Sequence, residues 1–239
     1  KRRLLFAMAA ALLFLSMALV WMLGDEMIKG EEVFSSGEMV SIEKLSDGSI
    51  ISLNRNSELN FENKAQRRAI LKGDAFFEVK RNINRPFVVE AKDLEIRVLG
   101  TSFYVDAKDD LEMVKVIVKS GKVAVKHLND SLVLAKGQMA TFNRVSKELK
   151  RSKVKDINYL SWKTKALVFQ DKSLQEVVTK LEEVYGKEIV LEKQLMNCRI
   201  TVSFKGQELE SVLSVISSNL NLNIIEKENS IHLKGSSCN

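Results

Sequence analysis

The sequence predicts a mainly β protein that ends in an α+β domain, and three observations lead to this class. A middle region alternates apolar and polar residues and is interrupted by frequent turn residues. The last part contains an internal repeat. Ahead of both lies an uncharged run from Leu4 to Leu23, in which Ser16 is the polar residue. The class therefore combines an N-terminal helix, an all-β domain and a βαβ domain.

The apolar run has the length of a single transmembrane helix. At about 1.5 Å per residue, residues 4–23 would span roughly 30 Å. Lys1, Arg2 and Arg3 precede the run, so residues 1–3 are predicted as a cytoplasmic stub and the bulk of the chain lies across the membrane. A cleaved signal peptide is the alternative, but its apolar region is usually about 7–15 residues. The sequence thus favours a single-pass anchor.

Composition excludes several classes of function. The net charge is +6, but the first three residues supply half of it, so the basic balance is no general nucleic-acid signal. The basic stretch 144–156 lacks the aromatic residues that stack on bases. We expect no cofactor, no metal and no nucleic acid.

Residues 37–145 are predicted as an all-β domain, preceded by a polar tether over 24–36. Residues 94–98 and 114–118 alternate at a period of two, and Asp47-Gly48 and Ser120-Gly121 are typical turns. Strands this short and turns this frequent predict roughly a dozen strands. Residues 146–161 are polar and basic, which is typical of a linker between domains.

Residues 162–234 are predicted as two copies of a βαβ unit plus a final strand, followed by a tail over 235–239. Residues 167–169 match residues 202–204, an offset of 35, and the apolar positions between them recur at the same offset. The first copy has the stripe of an amphipathic helix. That stripe is Leu174, Val177, Val178, Leu181 and Tyr185. Ser173 and Glu176 form a capping box, and Glu176 is placed to pair with Lys180. We expect two helices packed on one small sheet.

The same repeat predicts the core of this domain and leaves one cysteine question open. Phe169, Leu181, Phe204 and Ile216 occupy its apolar positions. Cys198 and Cys238 could form a disulfide in an oxidising compartment. The sequence slightly favours two free thiols, because chain ends such as the one carrying Cys238 are usually poorly ordered.

Catalytic signatures are missing from the sequence. Nucleophilic catalysis needs a nucleophile, a base and an orienting group. His127 and His232 are better explained as surface side chains on strands, and no HExxH, GxSxG or P-loop pattern occurs. Asp109-Asp110 and Glu182-Glu183 are better explained as a loop and a solvated helix face than as an acid pair. The sequence therefore predicts that the protein is not an enzyme.

A set of motifs in the middle region resembles the FecR family. The resemblance covers 37–234 and rests on motifs that occur in the family's order. They are Leu45-Ser46-Asp47-Gly48-Ser49, Leu53-Asn54-Arg55-Asn56-Ser57, Leu71-Lys72-Gly73-Asp74-Ala75-Phe76-Phe77-Glu78-Val79, Arg85-Pro86-Phe87-Val88-Val89, Val98-Leu99-Gly100-Thr101-Ser102-Phe103-Tyr104-Val105, and Trp162 followed by Leu167-Val168-Phe169. Asp74 stands where the family usually has Glu.

The resemblance implies an inner-membrane signal relay with its bulk in the periplasm. Its middle domain would be a β-solenoid-like FecR domain, and its end domain would be similar to the secretin/TonB short N-terminal domain. Such proteins sense the signalling domain of a TonB-dependent outer-membrane transporter and regulate an extracytoplasmic-function sigma factor, as anti-sigma factors. The family contacts its sigma factor through a cytoplasmic segment not present in this chain, where three residues precede Leu4.

Partner binding is expected at strands of the end domain, by addition of a partner strand at a sheet edge. The candidate residues are Arg199, Thr201 and Ser203 on one strand and Ile231 and Leu233 on the last strand. Packing in the sheet's own core is an equally good explanation of these residues. At the level of function, two alternatives remain open: an anchored binding or scaffold protein without a transcriptional role, and a glycan-active enzyme that uses two carboxylates.

Overall fold

A computed structural model describes residues 15–18 and 31–238. The chain divides into two compact units, the first ending at Lys153 and the second running from Val154 to Asn239. Each unit has its own core of buried apolar side chains.

The first unit contains thirteen strands among its described residues, joined in one sheet. They are β1 (Glu31–Ser35), β2 (Ser41–Lys44), β3 (Ile50–Leu53), β4 (Glu58–Asn63), β5 (Arg67–Glu78), β6 (Phe87–Ala91), β7 (Leu94–Val98), β8 (Ser102–Ala107), β9 (Met113–Ser120), β10 (Lys122–His127), β11 (Asp130–Ala135), β12 (Gln138–Asn143) and β13 (Leu149–Lys153). The alternation that predicts strands in 94–98 and 114–118 corresponds to β7 and β9.

The long strand β5 organises this sheet. Its first half pairs with β4 and β6, and its second half pairs with β3 and β8. The change of partners at Gly73 turns the sheet around one core, which contains Phe61, Phe77 and Phe103, each 0% exposed. At the far ends of the sheet, Arg151 on β13 donates a hydrogen bond to the carbonyl of Val133 on β11. The result is a nearly closed, barrel-like sheet.

The β-solenoid implied by the family resemblance is therefore wrong. A solenoid stacks repeated coils, each of which contacts only its neighbours. Here four strands meet on β5, and most pairs are antiparallel. Two boundaries also differ from the sequence prediction. Residues 31–35, predicted as tether, form β1, and residues 149–153, predicted as linker, form β13.

The predicted transmembrane helix also requires correction. Of residues 4–23, the structure describes 15–18 as one helical turn, and the rest of that prediction lies outside the described residues. Within the described part of the chain no helix is long and apolar enough to cross a membrane. The longest there have 12 residues, against about 20 for a span. The predicted single-pass inner-membrane topology, with a cytoplasmic N-terminus and a periplasmic bulk, is therefore not supported.

The second unit follows the element order that the repeat predicts. Its helices are α1 (Ser161–Thr164), α2 (Leu174–Tyr185) and α3 (Leu209–Leu220), with a 3-10 turn at Lys193–Leu195. Its strands are β14 (Ala166–Ser173), β15 (Glu188–Leu191), β16 (Arg199–Lys205), β17 (Asn223–Glu226) and β18 (Ser230–Lys234). Ser173 caps α2 and Glu176 closes the capping box. Glu176 pairs with Lys172, however, and Lys180 pairs with Glu183, so the predicted Glu176–Lys180 pair is wrong.

The strands of this unit form two sheets and not one, which corrects the predicted single sheet. β14 and β16 form an antiparallel pair, and β15, β18 and β17 form the second sheet with β18 in the middle. Both sheets and the two long helices contribute to one core. The predicted core residues Phe169, Leu181, Phe204 and Ile216 are all buried in it, which confirms that part of the prediction.

Candidate functional site: open strand edges in the second unit

The histidines and acidic pairs show no catalytic arrangement in the described residues. His127 is buried, not on the surface as the sequence predicts, and its Nδ1 lies 3.0 Å from the carbonyl oxygen of Asp93. His232 lies 3.1 Å from the Ser230 hydroxyl. Asp109 pairs with Lys92. Among the described residues no group of three or more His, Cys, Asp or Glu side chains is placed to hold a metal.

The predicted binding residues on the last strand lie inside a sheet. β18 is parallel to β15 on one side and antiparallel to β17 on the other, so both of its edges are already paired. Leu233 is fully buried and Ile231 packs against the core. A partner strand has no free edge to join at Ile231 or Leu233.

The outer edge of β14 is closed by one side chain. Asn158 Nδ2 donates to the Val168 carbonyl at 2.9 Å, and the Val168 N–H donates to Asn158 Oδ1 at 2.9 Å. The amide therefore takes the place of a neighbouring strand at this point. Asn158 is 8% exposed, so its two hydrogen bonds to Val168 are largely protected from water. Edge strands that are covered in this way do not recruit partners.

The outer edge of β15 is also protected by a side chain, through one hydrogen bond where β14 has two. The Ile189 N–H donates to Glu182 Oε1 at 2.8 Å. Because strand β18 takes the alternate backbone groups of β15, this N–H points away from the sheet. Glu182, which the sequence places on a solvated helix face, thus has a structural role at a sheet edge.

The outer edge of β16 is left open within the part of the chain that the structure describes. Here β16 pairs with β14 alone. The Gly206 N–H donates a hydrogen bond to the Lys165 carbonyl. Every second residue pair along the two strands is hydrogen-bonded, so the next bonded pairs are Leu167 with Phe204 and Phe169 with Val202. The N–H and C=O groups of Ser203 and Lys205 consequently point outward. Arg199, Thr201 and Ser203, the predicted binding residues, all have exposed side chains.

Two of these predicted residues also hold the irregular part of β14 in place. The register of the β14–β16 pair shifts between Phe169 and Lys172, and Asp171 lies there with φ of 48°. The Arg199 guanidinium bonds both carboxylate oxygens of Asp171, and the Asp171 N–H donates to Thr201 Oγ1 at 2.9 Å. This contact with Arg199 lowers the pKa of the Asp171 carboxyl below its ordinary value.

A disulfide anchors the start of β16. Cys198, directly before the strand, is bonded to Cys238 in the C-terminal tail. This corrects the expectation of two free thiols. Cys198 is also held by its backbone, since its carbonyl accepts a hydrogen bond from the Leu174 N–H at 2.7 Å. The pairing closes a loop with a sequence separation of 40 and links the two sheets covalently.

β17 has the second open edge. Among the described residues it pairs with β18 alone, and all four of its residues are exposed. Of the strands in this unit, β14 and β15 are thus protected by side chains, β18 is internal, and β16 and β17 remain available. Such an arrangement can take up a strand from a partner through backbone hydrogen bonds. The ligand that suits such edges is an extended peptide segment.

Comparison with known proteins gives a consistent picture over most of the chain. Residues 33–124 match the family model described as FecR protein, and residues 166–233 match the one described as FecR, C-terminal. Two crystal structures of a putative anti-sigma factor from Parabacteroides distasonis ATCC 8503, at 2.50 and 1.65 Å resolution, have the same fold with TM-scores of 0.64. They are 25% and 26% identical to this chain, cover 87% and 86% of it, and are themselves covered completely.

No curated protein matches the chain. The two family models together span both units, in the order that the sequence motifs predict. The chain belongs to the FecR family.

Proposed function

We propose that this protein is a sigma-factor regulator of the anti-sigma type, and that its second unit receives the signal. In this proposal the signalling domain of a TonB-dependent outer-membrane transporter adds a strand to β16. The change in the second unit then alters the activity of an extracytoplasmic-function sigma factor. Membership of the FecR family and the likeness to an anti-sigma factor support the regulatory part.

The observation that carries the receiving part is the open edge of β16. A two-stranded sheet is only marginally stable by itself, and a third strand adds both backbone hydrogen bonds and cross-strand contacts. β14 cannot accept that strand because Asn158 already bonds Val168. β16 can accept it, because the backbone groups of Ser203 and Lys205 face outward.

The side chains beside this edge explain how a partner could be selected. Arg199, Thr201 and Ser203 alternate with the inward residues Ile200, Val202 and Phe204 along β16. An added strand would therefore place alternate side chains next to a guanidinium and two hydroxyl groups. Backbone bonds would supply affinity, and these three side chains would supply specificity.

The test is capture of partners from an envelope extract with the full chain as bait. Ser203→Pro removes the outward N–H without removing a bond to β14, because Ser203 alternates with the paired residues. Ser203→Ala is the matched control, since it removes the hydroxyl and keeps the N–H. We expect a TonB-dependent transporter with the unmodified chain and with Ser203→Ala, and none with Ser203→Pro.

Two results would contradict this proposal. One is failure of the folded bait to capture any transporter from an extract in which transporters are shown to be present. The other is equal capture by Ser203→Pro. The first result would favour the scaffold alternative. A reporter gene under the control of the candidate sigma factor then separates regulation from simple binding, since a scaffold leaves its transcription unchanged.

A further inference from the structure

A groove lies beside the open edge of β17, and its lining is uncharged. It has a volume of about 520 Å³ between α3 and β17. Its lining residues are Ser214, Ser217, Ser218, Asn221, Leu222, Asn223 and Ile224. The Ser217 hydroxyl is buried and has no hydrogen-bond partner, although the residue is 7% exposed. A buried hydroxyl without a partner loses free energy, so a group that supplied one would be stabilised here.

The register of the β17–β18 hairpin determines which backbone groups face outward. The Lys227 N–H donates a hydrogen bond to the Ser230 carbonyl. Because every second residue pair of an antiparallel ladder is hydrogen-bonded, the next bonded pairs are Ile225 with His232 and Asn223 with Lys234. The N–H and C=O groups of Ile224 and Glu226 therefore lie at the open edge. An added strand must bond to these two residues.

The two faces of β17 differ in what an added strand would meet. Ile224 pairs with the fully buried Leu233, so its side chain is on the core side, and yet it is 38% exposed. Ile225 is on the opposite side, in one row with His232 and Val190, and is 41% exposed. Both isoleucines thus lie next to the position of a missing strand.

We propose that the missing strand is β17 of a second copy of this chain. The two strands would run antiparallel about a two-fold axis, with Ile225 opposite its counterpart and Ile224 opposite Glu226 of the copy. Residues directly opposite each other in antiparallel strands share a face, so that glutamate lies over the serine-lined groove. The pairing joins the two three-stranded sheets into one sheet of six strands.

Hydrogen-bond complementarity supports this occupant. The groove offers hydroxyl and amide donors from its serines and asparagines and contains no acidic side chain. Glu226 offers a carboxylate acceptor and makes no hydrogen bond or ion pair through that side chain within the described residues. In the paired form, the Glu226 carboxylate of one copy accepts a hydrogen bond from the unpartnered Ser217 hydroxyl of the other. On the outer face, the two Ile225 side chains meet at the axis and extend the row formed by Val190, His232 and Ile225.

A charge exchange at the two-fold axis tests this pairing. Ile225→Glu and Ile225→Lys each place like charges opposite one another, which is destabilising in a strand pair. The full chain in detergent should therefore be dimeric by native mass spectrometry at high concentration, and each variant alone should be monomeric. A mixture of the two variants should form heterodimers, since opposite charges then meet. Ile225 is exposed on a sheet face, so both variants should fold.

Controls separate this proposal from transporter binding. Ser203→Pro should leave the dimer intact, and Ile224→Pro, which removes an outward N–H at β17, should abolish it without affecting transporter capture. Glu226→Ala and Ser217→Ala should each weaken the dimer, and Glu226→Gln should weaken it less because it keeps an acceptor. A monomeric full chain at every concentration, or variants that do not form heterodimers when mixed, would overturn the proposal.

Discussion

The two units combine their strands into sheets differently. In the described residues of the first unit, thirteen strands share one sheet that nearly closes on itself around a single core. In the second unit, five strands are divided between a two-stranded and a three-stranded sheet. Among its described residues the first unit also contains strands that pair on one side only, which are β1, β2, β11 and β13, but its sheet surrounds one core, whereas the second unit consists of short sheets. The comparison shows one extended sheet around a single core in the first unit and two small sheets in the second, and the proposed function places strand addition at the second.

The largest expected effect concerns the first unit. Arg67 is 2% exposed, pairs with Asp47 at 2.9 Å and donates to the carbonyls of Lys80 and Arg85. Arg67→Ala leaves the Asp47 charge buried without its partner and should lower the free energy of unfolding by about 3–5 kcal/mol. Denaturant unfolding followed by a probe in the first unit measures this. The contrast with Arg68→Ala is informative, because the exposed Arg68–Glu90 pair is screened by solvent and should contribute little to stability.

The disulfide should be the main covalent support of the second unit. Replacing Cys198 and Cys238 by serine opens a loop with a sequence separation of 40. The chain-entropy model then predicts a loss of about 4 kcal/mol in the free energy of unfolding. Unfolding of the oxidised protein and of the double variant, with and without reductant, measures it. Reductant should affect only the oxidised protein, and an unchanged midpoint on reduction would contradict a stabilising role.

The Asn158 side chain, which closes the outer edge of β14, offers a direct test of edge protection in the second unit. Asn158→Ala removes both hydrogen bonds to Val168 and should cost about 1–3 kcal/mol, because each lost hydrogen bond is worth about 0.5–1.5 kcal/mol. It also creates a third open edge in the second unit, so the variant should aggregate more readily than the unmodified chain. Light scattering at increasing concentration measures this second effect. Asn197→Ala, at an exposed position, is the control that should leave stability and solubility unchanged.

The smallest expected effect is the pH dependence of the α2 cap. The Lys172 ammonium and the Ser173 backbone N–H and hydroxyl lower the pKa of Glu176 from 4.5 to about 2. A lowered pKa means that this stabilisation is complete above pH 4.5 and is lost as the pH falls towards about 2. Carboxyl titration by NMR should show the low value, and Lys172→Ala should raise it. A normal value for Glu176 would contradict the capping geometry.

Much of the second unit can be predicted from sequence because its signals are local. The helix that begins after Ser173 has an apolar stripe and a capping box within a few residues, and the repeat shows where the second helix lies. The division of its strands into two sheets is not local. It depends on which strand pairs with which, and β14–β16 pairing joins segments separated by a whole helix.

The features that define the candidate site carry little sequence signal. Asn158 lies in a polar stretch, and nothing in its neighbourhood indicates that its amide bonds Val168 ten positions later. Glu182 has the appearance of an ordinary surface residue of a helix. The sequence does not predict β13, because four of its five residues are exposed and Leu149 is its one apolar residue. The sequence does not predict β1 for a similar reason, since its residues alternate between exposed and half-buried.

The most direct test of the central claim is amide hydrogen exchange of the full chain with and without the signalling domain of the captured transporter. Strand addition at β16 predicts slower exchange at the outward amides of Ser203 and Lys205, with little change at Ile224 and Glu226 on β17. The outward amides are exposed to water without a partner strand and become hydrogen-bonded with it. Protection confined to β17 or to the first unit, with Ser203 and Lys205 unchanged, would contradict the account.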